Sequence, residues 1–289
     1  MQADDDMNDD RMKGAPGMDA SAEVGTPGDD AGVKDMKIAI IAADTPEARA
    51  AEEELRQRYQ VVPVQQADVV VALGGDGLML HTMHELLGTN KRIFGMNRGS
   101  LGFLMNEYRA DDLPRRIAWA VETEIHPLRM HVRDVQGQEH EALAFNEVSL
   151  FRQRHQAAKL RICVDGKVRM QELVCDGLII ATPAGSTAYN LSAHGPILPI
   201  DSPLLALTPI SPFRPRRWRG AILPDTARVS VRVLEVEKRP VAAVADNREY
   251  RNVLEVDVVQ DRSLAARLLF DPERSLTEKV IAEQFRYCD

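Results

Sequence analysis

The sequence predicts two unlike halves closed by one helix: an α/β amino-terminal domain on a parallel sheet, then an all-β domain folded as a β-sandwich. Three observations predict it. From residue 36 to about 123, apolar runs alternate with helical patterns, the order of a parallel sheet covered by helices. From residue 124 the texture changes to short strands separated by Gly, Pro and Asp turns. Beyond residue 270, one amphipathic stretch opens on Ser275 with Glu278 three residues on, a capping box.

Taken in order, residues 1–35 are rich in Asp, Gly, Ala and Met and almost free of large apolar side chains. They cannot bury enough surface to offset the entropy of ordering, so this acidic tail is expected to be disordered. Residues 37–43 form the first strand. Thr45 caps the next helix and Pro46 takes its first position, with the helix running to about Tyr59. An extended piece at 61–64, a strand at 68–73, a helix at 78–87 and a strand at 92–97 follow. Residues 98–104 form a second glycine-punctuated turn, and 111–121 an amphipathic helix. In the second half, strands are expected at 128–133, 142–151, 159–164, 168–175, 178–181, 228–233, 240–245, 253–259 and 265–269. Asp165-Gly166 joins two of them as a hairpin turn. The divisions are therefore 1–35, 36–123, 124–270 and 271–289, the last a helix packing back on the first domain.

Composition excludes several functions. The chain is 44% hydrophobic and 28% charged, ordinary for a globular protein, and no apolar run approaches the ~20 residues that cross a bilayer. The first residues lack the basic-then-apolar pattern of a secretory leader. Cys163, Cys175 and Cys288 show no CxxC spacing and are expected to be reduced. These features fit a cytoplasmic protein with no membrane partner. Of the net charge of −8, residues 1–35 carry ten acidic and three basic side chains, so the rest is nearly neutral and gives no support to nucleic-acid binding.

Chemistry concentrates at Gly74-Gly75-Asp76-Gly77, where the apolar run 69–73 gives way to a helix. Ligands bind at the carboxyl ends of strands in open α/β sheets. Glycines let backbone amides approach a phosphate, and a helix amino terminus adds partial positive charge. A carboxylate repels phosphate, so Asp76 needs a task of its own: accepting a proton from a hydroxyl, or holding a metal ion. The plain alternative is a tight turn with an aspartate helix cap.

Two further segments carry polar groups in apolar surroundings. Asn146-Glu147 interrupts an apolar run, and because neighbours on a strand face opposite ways, one or both belong at a strand end or site rim. Asn offers a donor and an acceptor, and Glu can accept from ribose hydroxyls; the alternative is a polar pair facing water. Later, Asp176 precedes the buried run 178–181, which enters Thr182-Pro183-Ala184-Gly185-Ser186-Thr187-Ala188-Tyr189-Asn190-Leu191-Ser192. Small polar residues past a strand end favour a binding loop, with Tyr189 offering a flat face.

In order and spacing, Gly74-Gly75-Asp76-Gly77, Asn146-Glu147 and the 182–190 segment together resemble the NAD kinase family, and residues 97–104 are similar to its segment after the third strand. The glycine element alone is shared with lipid kinases of the diacylglycerol and sphingosine type and with phosphofructokinases. The resemblance implies a Rossmann-like α/β domain and phosphorylation of the adenosine ribose 2′-hydroxyl of NAD by a nucleoside triphosphate, ATP being the expected donor. It implies Asp76 as general base, Gly74, Gly75 and Gly77 as phosphate cradle, and His81 near the nucleotide. Asn146, Glu147, Asp176, Thr187, Ala188, Tyr189, Asn190 and Ser192 would line the dinucleotide site. Mg²⁺ would accompany the triphosphate, no protein metal ligands are assigned, and a homodimer or homotetramer is implied. Rival readings are a lipid kinase and a catalytically silent NAD(P)-binding sensor.

The chain departs from the family in three places. Leu78 stands where threonine is usual, Ala184 where some members can hydrogen-bond, and Asp246-Asn247 where Asp-Gly is usual. Asparagine tolerates positive φ, so that turn is expected to survive, and Asp246 and Asn247 are further site candidates. Arg214, Arg216, Arg217 and Arg219 read as a surface loop, Cys175 as core and His194 as structural. His84, His126, His131, His140 and His155 lack metal-ligand spacing.

Overall fold

The first sheet is built from strands that the sequence places in both halves. The computed structural model describes residues 36–99 and 102–285, so the acidic tail and Ser100-Leu101 of the second glycine turn lie outside the described residues. Strands β1 (Ile38–Ala42), β2 (Val69–Gly74), β3 (Arg92–Asn97) and β4 (Val121–Ile125) join the chain's last strand, β17 (Ala266–Phe270), in the order β1-β2-β3-β17-β4. All neighbours are parallel except β17 and β4. Strand β2 is buried throughout, as its unbroken apolar run requires in a sheet covered on both faces. Helix α1 (Pro46–Arg58) starts where Thr45 Oγ1 accepts from Ala48 N and buries Ala48, Ala51 and Leu55. Helices α2 (Asp76–Leu86) and α3 (Leu113–Trp119) complete the cover.

Two expectations shift here. The helix expected over 111–121 is shorter, because Asp112 sits at φ 53° before it and β4 takes over at Val121. Strand β4 reads as polar because it is an edge, where Glu122 and Glu124 both reach Arg267 across the antiparallel pair. Strand β17, expected among the β-rich half, instead pairs with β3, so the first sheet takes strands from both sides of the division at 124.

The second part is a sandwich of two antiparallel sheets. One has the order β6-β5-β16-β13-β8-β9, from β5 (Leu128–Asp134), β6 (Glu139–Ala144), β8 (Ala158–Val164), β9 (Lys167–Cys175), β13 (Val229–Val233) and β16 (Val253–Gln260). The other has the order β12-β11-β10-β7-β14-β15, from β7 (Glu147–Arg152), β10 (Gly177–Ala181), β11 (Leu204–Ile210), β12 (Ala221–Pro224), β14 (Val241–Ala245) and β15 (Arg248–Tyr250). Alternate residues of β8, from Ala158 to Val164, point into the shared core.

The strand expected over 142–151 is two strands in different sheets, broken at Phe145-Asn146. The reason is a competing acceptor: Asp246 takes the amides of both Phe145 and Asn146. Strand β11 escapes the sequence pattern because of Pro209. Its partner β12 covers only Leu204 to Leu207, so the missing N–H falls beyond the end of that ladder. The short β12 and β15 carry too few residues to show a period. Helix α4 (Tyr189–Ser192) and the closing helix α5 (Leu276–Phe285) complete the fold, with Glu278 N donating to Ser275 Oγ as the capping box requires.

Asn106 stitches the centre of the first sheet. Its buried amide donates to Gly95 O and Leu269 O, and its Oδ1 accepts from Asp271 N. Asn106→Leu strands backbone groups there, each costing about 1–3 kcal/mol. Urea denaturation is expected to show a loss of about 2–4 kcal/mol; a loss under about 1 kcal/mol contradicts this role.

Candidate active site

Asp76 opens α2 immediately past the end of β2. The helix therefore begins two residues earlier than the sequence suggests, because a carboxylate in the first turn complements the positive end of the dipole. Both its oxygens are held: Oδ2 accepts from Phe103 N and Oδ1 from Leu104 N, each at 2.8 Å. The second glycine turn thus supplies the charge compensation that lets a carboxylate sit inside an anion-binding loop. A Cβ on Gly74 would meet Leu78 Cδ2 at 2.8 Å, and one on Gly99 would lie 3.4 Å from Gly75 Cα. Gly77 faces open space, leaving the first turn of α2 approachable. Leu78, where threonine is usual, packs beneath Gly74 and presents no hydroxyl.

Asp76 lines a cleft of about 970 Å³ together with Arg98, Tyr108, Thr187 and Lys279. Thr187 belongs to the third sequence segment, so the glycine loop and the 182–192 loop face one space. Lys279 comes from α5 and went unnoticed in the sequence, where it is one lysine on an amphipathic helix. Its Nζ donates to Phe103 O at 3.0 Å and to Met105 O. Burial pulls its pKa down to about 8, with Asp76 holding it up and Arg274 adding to the fall.

The second segment joins through Asp246. This carboxylate has no solvent exposure, accepts from Phe145 N and Asn146 N at 2.7 and 3.0 Å, and lies 2.8 Å from His84 Nε2 on α2. The positive φ of this turn falls on Asp246, at 50°, rather than on Asn247. Thr182 ties in the third segment: its Oγ1 donates to Phe145 O at 2.7 Å and its amide donates to Asn146 O at 3.0 Å. Gly185 has no room for a Cβ, which would stand 2.1 Å from Asn146 O. Glu147 begins β7 with a buried Oε2 that has no hydrogen-bond partner. Burial, then the nearby Asp246, pushes its carboxyl up to about 7. Burial also raises the Tyr189 phenol, with Glu147 contributing.

The remaining candidates divide. Tyr189 stacks on Phe151 with centroids 5.6 Å apart and packs against the cluster of Ile179, Ala181, Leu198 and Ala206. Asp176 pairs with Arg152 at the far end of β10 from Ala181, the partner of Glu147, about 17 Å along the strand. Ala188 is half-buried before α4 and Ser192 is exposed on it. Asn190 is fully buried, its amide donating to Ser186 O and Pro196 O and accepting from Thr208 Oγ1, so it knots the loop rather than facing a ligand. His81 is exposed and pairs with Glu85, away from the cleft wall. Asn247 is exposed as well. Cys175 is core, its thiol pushed up to about 12 by burial.

Fold and site together define a two-domain nucleotide-binding protein with a carboxylate at the mouth of its glycine loop. Residues 145–262 match a family model described as the ATP-NAD kinase C-terminal domain. The NAD kinase of Rhizobium meliloti is 57% identical over 248 residues, 86% of this chain and 96% of its own length. That of Caulobacter vibrioides is 59% identical over 249 residues, with the same coverage. The fold is shared with yeast NADH kinase complexed with NADH (TM-score 0.74, 21% identity, 88% of this chain and 89% of that one). It is shared also with an NAD kinase from Archaeoglobus fulgidus in complex with ATP (TM-score 0.67, 22% identity, 86% and 98%). The chain belongs to the NAD kinase family.

Glu147 gives a pH test. Its carboxyl is raised from 4.5 to about 7 on folding, so the folded chain holds the extra proton between those values. Folding therefore loses stability as pH rises through that window. Glu147→Gln is expected to raise the melting temperature at pH 8 and to leave it nearly unchanged at pH 4 in scanning calorimetry. Equal shifts at both pH values contradict a buried, unpartnered charge.

Proposed function

We propose that this chain transfers the γ-phosphoryl group of ATP to the adenosine ribose 2′-hydroxyl of NAD, with Asp76 as the general base. That NAD is phosphorylated to NADP follows from the family; the assignment of roles rests on the cleft. The observation that carries it is the Asp76 carboxylate, held in one orientation by two amides and facing the space that Thr187 shares.

In this reading a carboxylate oxygen takes the hydroxyl proton as the ribose oxygen bonds to the γ-phosphorus, and the bond from that phosphorus to the ADP oxygen breaks. NAD and ATP become NADP and ADP, with one proton released. Gly75, Gly77 and the open first turn of α2 receive phosphate, and the buried Glu147 oxygen receives a ribose hydroxyl that supplies its missing donor. Asn146, Thr187, Ala188 and Tyr189 line the dinucleotide path, and Asp176 marks its nicotinamide end. Mg²⁺ enters as the MgATP substrate, neutralising phosphate charge. The polar cleft walls and the dinucleotide motifs disfavour a lipid acceptor, and a silent sensor gains nothing from a carboxylate beside phosphates. The chain works as a cytoplasmic homo-oligomer in this reading. No described helix is long and apolar enough to cross a membrane.

Asp76→Asn is expected to keep NAD binding in calorimetry and to lose about 10²–10⁴-fold in kcat for NADP formation, the span of general-base catalysis. An unimpaired variant removes Asp76 from the mechanism. The same assay run with diacylglycerol or sphingosine in place of NAD is expected to show no transfer.

A further inference from the structure

We propose that Lys279, on the closing helix, is a positioning residue for the phosphoryl transfer: its ammonium holds the carbonyls of the Phe103–Met105 segment whose amides hold Asp76, and so sets the aim of the base. The inference rests on the reading of Asp76 as base and deepens it.

The geometry is a two-sided grip on three residues. On one side the amides of Phe103 and Leu104 donate to the two oxygens of Asp76. On the other, the carbonyls of Phe103 and Met105 accept from Lys279 Nζ. The same peptide segment therefore carries both partners, and a shift of it turns the carboxylate. Met105 is itself confined, since a Cβ on Gly95 would strike its sulfur at 2.7 Å and one on Gly102 its Cβ at 2.9 Å. An ammonium has three donors, and two are spent on these carbonyls. The ammonium also lies over the Phe270 ring, 5.0 Å from its centroid, which favours the charged form.

The clamp has a pH limit. Asp76 on α2 and Asp271 before α5 favour the ammonium, and Arg274 opposes it. Arg98 and Glu107 from the first domain share the cleft wall, as do Glu273, Glu278 and Glu283 from the closing segment. Burial dominates and places deprotonation at about pH 8. Above that pH the charge that strengthens both bonds is lost, and a neutral amine holds the two carbonyls more weakly. Stability moves the other way. Between about pH 8 and the ordinary 10.5 the unfolded chain keeps the proton that the folded chain has released, so folding gains as pH rises. The titration of Lys279 therefore does not itself weaken the fold in that window.

The test follows kcat for NADP formation against pH in the full chain, for wild type, Lys279→Met and Lys279→Arg, beside NAD affinity by calorimetry. Lys279→Met is expected to lose on the order of 10²-fold in kcat, the cost of a misplaced catalytic group, with NAD affinity unchanged. Lys279→Arg stays charged, so it is expected to keep most of the rate and to lose the fall near pH 8. A Lys279→Met enzyme with the wild-type rate and profile overturns the inference. So does a Lys279→Arg enzyme that still loses activity near pH 8, which decides the matter even where the methionine variant does not fold. Asp76→Asn separates the two levels. If it is inactive while Lys279→Met is normal, only the clamp falls; if it is fully active, the base and the clamp fall together.

Discussion

The structure turns on a carboxylate that no solvent reaches. Asp246 accepts the amides of Phe145 and Asn146 and meets His84, so its contacts join the break between β6 and β7 to α2. The first two lie in the break between β6 and β7, where the chain passes from one sheet of the sandwich into the other. The third ties that crossing to α2, whose first residue is Asp76. A buried charge of this kind is tolerated only when its oxygens are satisfied. Asp246 meets that condition by borrowing backbone amides that a continuous strand would have used. The break beside Asn146 and Glu147 is therefore the same event as the satisfaction of Asp246.

Two carboxylates of the candidate segments stand in different states. Asp76 is compensated by two amides and keeps its place without a ligand. Glu147 is not compensated, and its titration has moved up to about 7. One is fixed in orientation by its donors; the other lacks a donor. The glycines between them do different work. Gly185 and Gly74 permit close packing, whereas Gly77 leaves space for a ligand.

Much of this was legible in the sequence because local pattern and tertiary role agree. The run 69–73 is apolar on both faces and is buried on both; Thr45-Pro46 and Ser275 start helices as their chemistry dictates. The three polar segments showed themselves as small or charged residues where a core strand was due. What escaped depends on distant partners. The run 142–151 looks continuous until Asp246, a hundred residues on, claims its amides. Strand β17 looks like its β-rich neighbours, yet its partner is β3. Asn190 has the look of a ligand contact but spends its whole amide on Ser186, Pro196 and Thr208, and His81 turns to Glu85 on the outer face of α2. Lys279 gave no sign at all, because its significance lies in two carbonyls that only folding brings within reach.

The central claim is that three distant segments enclose one dinucleotide and bring its adenosine ribose to Asp76. A crystal structure of the chain with NAD bound tests it most directly. The expected result is the 2′-hydroxyl within hydrogen-bond reach of an Asp76 oxygen, about 2.6–3.2 Å, and a ribose hydroxyl donating to Glu147. A dinucleotide seated elsewhere, or one whose 2′-hydroxyl points away from Asp76, contradicts it.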